Sequence, residues 1–88
     1  MGKAIVDPEE LRRFAQDLKR FNNELKNQMQ ILNGRFISLG QTWRDQEHRK
    51  FAQQFEETIR SLIRFQEVSV EQIPFLLRKA EQIEEYLR

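Results

Sequence analysis

The chain has 88 residues and no cysteine, and its 15 Lys+Arg nearly balance 14 Asp+Glu. The missing cysteines exclude a disulfide framework and a thiolate zinc site, and a net charge of +1 argues against a nucleic-acid binder that relies on bulk electrostatic attraction. Three glycines and two prolines are too few for a turn-rich β fold. We expect one all-α domain that covers residues 1–88.

The sequence carries no recognisable membrane or leader segment. No stretch approaches the roughly 18 apolar residues of a membrane span. The residues before Asp7 contain no apolar run long enough for a signal peptide. We therefore expect a protein that is synthesised in the cytoplasm without a membrane span. Export by a route that needs no cleaved leader is compatible with this sequence.

The first predicted helix covers residues 8–39. Asp7 can cap its N-terminus, and Pro8 suits the first helical position. No proline interrupts the pattern before Gly40, which is predicted to close the helix in the left-handed conformation. A long helix that is capped at one end and stopped at the other indicates the first arm of a helical hairpin.

The predicted turn at residues 40–42 leads into a second helix over residues 43–88. Thr42 stands three residues before Asp45, which resembles a capping box at the start of this helix. Pro74 is the only later helix breaker. It removes one backbone hydrogen bond, so we expect either a kink or a true break at this point.

Both predicted helices carry apolar residues at seven-residue spacing, which is typical of helices packed in a bundle. In helix one the leucines form one series, and Phe14 and Phe21 are predicted to fill the intervening seam position. Polar residues interrupt the seams at Gln28, Gln66 and Ser69, where they can fix the register. The candidate core and dimer-interface residues are Leu11, Phe14, Leu18, Phe21, Leu25, Leu32, Phe36, Leu39, Phe51, Phe55, Ile59, Leu62, Ile73, Leu76, Ile83 and Leu87.

The apolar face of helix two is wider than one neighbouring helix can cover. Phe65, Val68 and Phe75 lie outside its seam, and leaving several such side chains in water would forfeit many kcal/mol at about 25 cal/mol per Å². Helix two is also predicted to outrun helix one, whose start would lie opposite about residue 75. We therefore expect a homodimer in which two hairpins form a four-helix bundle.

The segment around the turn carries a family resemblance. Gly40–Asp45, followed by Phe51 and Phe55, resembles the hinge of the ESAT-like family of small WXG-motif proteins. Those proteins are helical hairpins with a tryptophan in the connecting loop, followed by an apolar or aromatic residue after eight and often after twelve positions. Trp43, Phe51 and Phe55 match this spacing. The candidate hinge residues are Gly40, Thr42, Trp43 and Asp45.

The resemblance implies a substrate or accessory partner of a specialised bacterial secretion system. Asp45 stands in place of the motif's glycine, and Tyr86 lacks the acidic residue four positions later that forms the family's export signal. The alternative is an adaptor or small chaperone that forms a heterodimer with another helical hairpin protein. Two roles are open for Trp43: a plug at the end of the bundle or a direct contact with a partner.

The residues offer little for catalysis. His48 is the only histidine, and no serine is placed beside a candidate base. Asp45 and His48 have the acid-x-x-His spacing of di-iron bundles, but the hinges of two antiparallel hairpins would lie at opposite ends of a dimer. We predict no enzyme activity, metal or cofactor, and a solvated His48. Arg44, Arg49 and Lys50 alternate with acidic residues, which predicts a solvated face and no nucleic-acid partner.

Overall fold

The structure is a computed structural model that describes residues 6–87 as two long antiparallel helices. Helix α1 spans Pro8–Leu39 and helix α2 spans Gln46–Leu87. They pack side by side into a rod of 65 × 22 × 17 Å. The prediction of an all-α helical hairpin is confirmed. Neither helix is long and apolar enough to cross a membrane, within the part of the chain that the structure describes.

Helix α1 begins at a conventional N-terminal cap. The Asp7 carboxylate accepts the backbone N–H of Glu9 at 2.9 Å, and the Asp7 carbonyl accepts the N–H groups of Glu10 and Leu11. Pro8 occupies the first turn, where its missing N–H has no helical partner to lose. These contacts satisfy free donors at the helix start and fix where α1 leaves the N-terminal segment.

Helix α2 starts later than the sequence indicated and continues through its proline. It begins at Gln46, because Asp45 rather than Thr42 supplies the cap. Pro74 lies inside one uninterrupted helix, so the chain has no break there. The predicted helix end at residue 88 lies outside the described residues.

The contact between the two helices is built on small side chains. Among residues 6–87 only four are buried: Ala15 and Asn22 in α1, and Ser69 and Ala80 in α2. Small side chains at a helix crossing allow the backbones to approach closely, and larger neighbours then pack beside the contact rather than inside it. The leucine series of α1 therefore flanks this line of small residues, with Leu11, Leu18 and Leu25 only partly covered.

A polar network lies in the middle of the seam. The Asn22 side-chain amide donates to Ser69 Oγ at 2.7 Å, and Gln66 Nε2 donates to the backbone carbonyl oxygen of Asn22 at 2.9 Å. Ser69 Oγ in turn donates to the Gln66 carbonyl at 3.3 Å. Gln66 and Ser69 lie in the seam as the spacing of α2 predicted, whereas their partner Asn22 was missed. The network ties α1 to α2 at one register.

The assignment of two phenylalanines to the seam was wrong. Phe14 and Phe21 are 56% and 49% exposed, and the neighbouring Ala15 and Asn22 take the seam position instead. Gln28 is likewise exposed, beside the partly buried Met29. The physical reason is the small-residue contact, since a phenylalanine at either seam position would hold the helices apart.

An ion pair joins the two helices at the end of the hairpin far from the hinge. Arg12 near the start of α1 donates two hydrogen bonds to the Glu84 carboxylate near the end of α2, at 2.6 and 2.5 Å. This contact raises the pKa of the Arg12 guanidinium, which stays charged. Leu76 and Ile83 are partly buried, while Phe75 and Tyr86 remain exposed. Helix α2 has 42 residues against 32 in α1, as the predicted difference in length requires, and part of its C-terminal apolar surface stays exposed.

Candidate interaction surfaces

The hinge between the helices is held by backbone and side-chain caps. The Asp45 carboxylate accepts the N–H of His48 at 3.0 Å and so caps α2. Thr42 Oγ1 instead donates to the Leu39 carbonyl at 3.3 Å, and the N–H groups of Thr42 and Trp43 donate to the same oxygen. Thr42 therefore closes α1, and the spacing from Asp45 to His48 serves a helix cap. Residues 6–87 contain no group of three potential metal-ligating side chains.

Gly40 does not adopt the predicted left-handed conformation. Its φ and ψ are −64° and −13°, which any residue can adopt, and its N–H donates to the carbonyls of Phe36 and Ile37. The position instead limits the space that is available to a side chain. A Cβ at Gly40 would lie 3.3 Å from the Ile37 carbonyl oxygen and 3.5 Å from His48 Nε2. The glycine is thus matched to a close approach at the hinge rather than to a special backbone angle.

Five rings pack together at the hinge end, and we call them the hinge cluster: Phe36, Trp43, His48, Phe51 and Phe55. Trp43 lies edge-on to His48 with ring centroids 5.1 Å apart, and it contacts Phe51 at 5.9 Å. Phe36 contacts Phe51 and Phe55 at 5.7 and 4.8 Å. The spacing of Trp43, Phe51 and Phe55 therefore places three rings on one side of the hinge, where they close the end of the hairpin.

His48 was predicted to be solvated, and this prediction was wrong. Its ring stacks on Phe36 at 5.3 Å with an interplanar angle of 5°, and it is partly buried. Its Nε2 atom is buried and has no hydrogen-bond partner among the described residues. The residue that looked like a solvated first-turn position therefore belongs to the packing of the hinge. The surrounding Arg44, Arg49 and Lys50 are exposed, as a solvated face requires.

A second surface runs along one side of the hairpin, and we call it the aromatic face: Phe14, Phe21, Leu32, Phe51 and Phe65. Each of these side chains is between 42% and 56% exposed. The rings of Phe21 and Phe65 meet edge-on at 6.0 Å, so the two helices contribute to the same face. At about 100° per residue, Phe14 and Leu32 lie within about 20° of Phe21 round α1. The result is a row of half-exposed apolar side chains along one side of the hairpin.

The candidate core and interface residues fall into two groups in the structure. Residues of the first group are partly buried against the other helix or the hinge. Residues of the second group are exposed to solvent. The first group contains Leu11, Leu18, Leu25, Phe36, Phe55, Ile59, Leu62, Ile73, Leu76 and Ile83. The second group contains Phe14, Phe21, Leu32, Leu39, Phe51 and Leu87.

Comparisons with known proteins were made for the whole chain. A search of curated proteins and a search of solved structures each returned no significant match. The family model described as WXG100, proteins of 100 residues with WXG, matches residues 4–86. This is a family of small helical proteins that is linked to secretion and whose members typically pair as hairpins. The match covers nearly the entire chain, and we conclude that this helical hairpin belongs to the WXG100 family.

Proposed function

We propose that the protein is a non-enzymatic interaction protein that forms a homodimer through its aromatic face. The observation that carries this proposal is the strip of half-exposed rings on one side of the rod, with Phe14 at 56% and Phe21 at 49% exposure. A second copy that covers the strip would complete a four-helix bundle and bury apolar area worth about 25 cal/mol per Å². Pairing of hairpins is also typical of the family.

Charge on the aromatic face favours two hairpins with their hinges at opposite ends. In that arrangement α1 of one copy runs antiparallel to α1 of the other across a two-fold axis. An axis near the middle of α1 sets Arg35 of one copy opposite Glu10 of the other. Each lies about 40° round the helix from the phenylalanine row, and neither forms an ion pair with another described residue. Two such pairs would flank the aromatic strip.

Light scattering tests the proposal directly. The purified chain should show a mass of twice 10.7 kDa, and Phe21→Asp should convert it to a monomer because it places a charge in the strip. Ile37→Asp is the matched control. Ile37 is an exposed apolar residue in the same helix, about 160° round from Phe21, so this variant should stay dimeric. A monomeric wild type would overturn self-association and favour the heterodimer with another helical hairpin protein.

Charge exchange tests the orientation of the two copies. Arg35→Glu and Glu10→Arg should each weaken the dimer, because like charges would then face each other. The double variant should recover most of the loss. Two single variants that leave the dissociation constant unchanged would argue against hinges at opposite ends while leaving the aromatic face as the interface.

We further propose that the dimer is synthesised in the cytoplasm and exported as a substrate or accessory partner of a specialised bacterial secretion system. The link of the family to secretion supports this role. Immunoblotting of culture supernatant against a cytosolic lysis marker tests it, with deletion of the secretion machinery as the control. Retention of the whole population in cells would contradict the proposal.

A further inference from the structure

A groove lies on the side of the hairpin opposite the aromatic face. We call it the amide groove; its volume is about 970 Å³, and it lies between the middle of α1 and the middle of α2. Ile63 and Val70 line it from α2, about 160° and 140° round that helix from Phe65. They are 44% and 55% exposed. Covering the aromatic face therefore leaves this second apolar surface uncovered.

The two walls of the amide groove differ in charge. On the α1 side the wall consists of four side-chain amides, Met29 and Lys26, and on the α2 side Glu67 and Glu71 flank the apolar residues. None of these three charged residues forms an ion pair with another described residue. A ligand that fits the groove should therefore carry an acid toward α1, a base toward α2, and apolar groups between them.

The floor of the groove contains a polar atom without a partner. Asn22 lines the groove and is 6% exposed, and its Oδ1 has no hydrogen-bond partner among residues 6–87. Its amide nitrogen is already engaged with Ser69 Oγ. A buried carbonyl oxygen of this kind is costly unless a donor reaches it. Because this oxygen is itself buried, it is a cost of the seam and not a contact point for a ligand.

The dimensions of the groove identify the kind of occupant. The lining residues run from Asn22 to Asn33 in α1 and from Ile59 to Glu71 in α2, or about 17–18 Å along the rod. That length accommodates a helix of about three turns, whereas a second copy of this chain is 65 Å long. A two-fold axis with opposed hinges would also set Lys26 against Lys19 of the other copy, which repels it.

From these observations we infer that the amide groove binds an amphipathic helix of about three turns from a different protein. Its apolar ridge packs on Ile63 and Val70, an acidic residue pairs with Lys26, and a basic residue pairs with Glu67 and Glu71. This is recognition of a helix in a groove, and it uses a surface separate from the homodimer face.

Fluorescence anisotropy with a labelled, stapled helical peptide tests the inference on the full chain. The probe carries leucines at a spacing of three and four residues, glutamate on one flank and lysine on the other. The control peptide has the two charged flanks exchanged. The probe should bind with a Kd in the range of about 10–100 μM, and the control about tenfold more weakly. Equal binding of both peptides, or no binding of the probe up to about 1 mM, would overturn the inference.

Protein variants locate the bound probe. Val70→Asp should abolish binding and Lys26→Glu should weaken it about tenfold. Phe14→Asp on the aromatic face is the matched control and should leave the Kd unchanged. Circular dichroism confirms that each variant is folded, since all three side chains are exposed. Binding that is lost in Phe14→Asp but kept in Val70→Asp would overturn the inference, and so would dissociation of the dimer by Val70→Asp. Failure of the homodimer proposal would instead show as a monomeric wild type.

Discussion

At the hinge, the departure from the family motif has a local physical reason. Asp45 occupies the position where the motif has glycine, and its carboxylate accepts one of the free N–H groups in the first turn of α2, that of His48. An aspartate at this position also places negative charge at the positive end of the helix. The same residue decides where α2 begins, which is why the helix starts at Gln46.

Replacing the cap should destabilise the hairpin by a measurable amount. Asp45→Ala should lower the free energy of unfolding by about 1 kcal/mol, because the His48 N–H loses its acceptor. Urea denaturation followed by circular dichroism measures the change. Asp45→Asn keeps a capping oxygen and should retain most of the stability, and Thr42→Ala should cost less than Asp45→Ala. A larger loss for Thr42→Ala would show that α2 is capped from Thr42.

The polar pair in the seam should show energetic coupling. Ser69→Ala leaves the buried Asn22 amide without its acceptor and should cost about 1–3 kcal/mol. The double variant Asn22→Ala/Ser69→Ala should lose less than the sum of the two single variants, by about 1 kcal/mol. Ser61→Ala, at an exposed position of the same helix, serves as the control. Strictly additive losses would mean that the hydrogen bond contributes nothing to stability.

At the level of the helices, the sequence was informative about periodicity and weak about contact distance. The heptad spacing of α2 placed Gln66 and Ser69 in the seam, and both are buried or partly buried there. In α1 the hydrophobic pattern favoured Phe14 and Phe21. In the structure their smaller neighbours Ala15 and Asn22 form the contact with α2. Hydrophobicity ranks residues by transfer free energy, whereas two closely packed helices select for side-chain size.

The hinge cluster and the amide groove both include contacts between the two helices that the sequence alone does not predict. The aromatic spacing from Trp43 to Phe55 could be read from the sequence, but the stacking of His48 on Phe36 depends on how the two helices meet. The amide groove joins residues of α1 and α2 that are far apart in the chain. Such a site appears only once the register is known, and the register is tied by Asn22, whose role was missed.

Two glycines of the chain should respond differently to alanine. Gly34 lies within α1, and a Cβ at this position meets nothing within 4 Å, so Gly34→Ala should stabilise the protein by about 1 kcal/mol through helix propensity. Gly40→Ala should gain less or lose stability, because its Cβ would lie 3.3 Å from the Ile37 carbonyl. Thermal unfolding of the pair measures the difference. Equal effects of the two substitutions would contradict the close approach at Gly40.

At the level of the whole molecule, a rod with two helices has little interior. Among the described residues only four are buried: Ala15, Asn22, Ser69 and Ala80. Many large apolar side chains are about half exposed to solvent along the rod. Folding of the single chain therefore removes little apolar surface from water, which is the physical argument for the proposed association.

Melting should consequently depend on protein concentration. For a dimer that unfolds to two chains, each tenfold rise in concentration adds about 1.4 kcal/mol per dimer and should raise the Tm by about 2–4 °C. Scanning calorimetry over a hundredfold concentration range measures this slope. Phe21→Asp should abolish the slope, and Ile37→Asp should preserve it. A wild-type Tm that is independent of concentration would be evidence against a folded dimer.

The line of small side chains between the helices reverses the usual relation between residue size and mutational freedom. In most proteins the bulky interior positions are the least variable, but here the most deeply buried apolar residues are Ala15 and Ala80, at 1% and 0% exposure, where an added carbon would press on the facing helix. Enlargement at either site would spread the arms of the hairpin and so alter the spacing of both of its outer faces at once. Sequence drift in this protein is therefore constrained most tightly at its smallest residues, and a single added methyl group there can disturb recognition on surfaces that it does not touch.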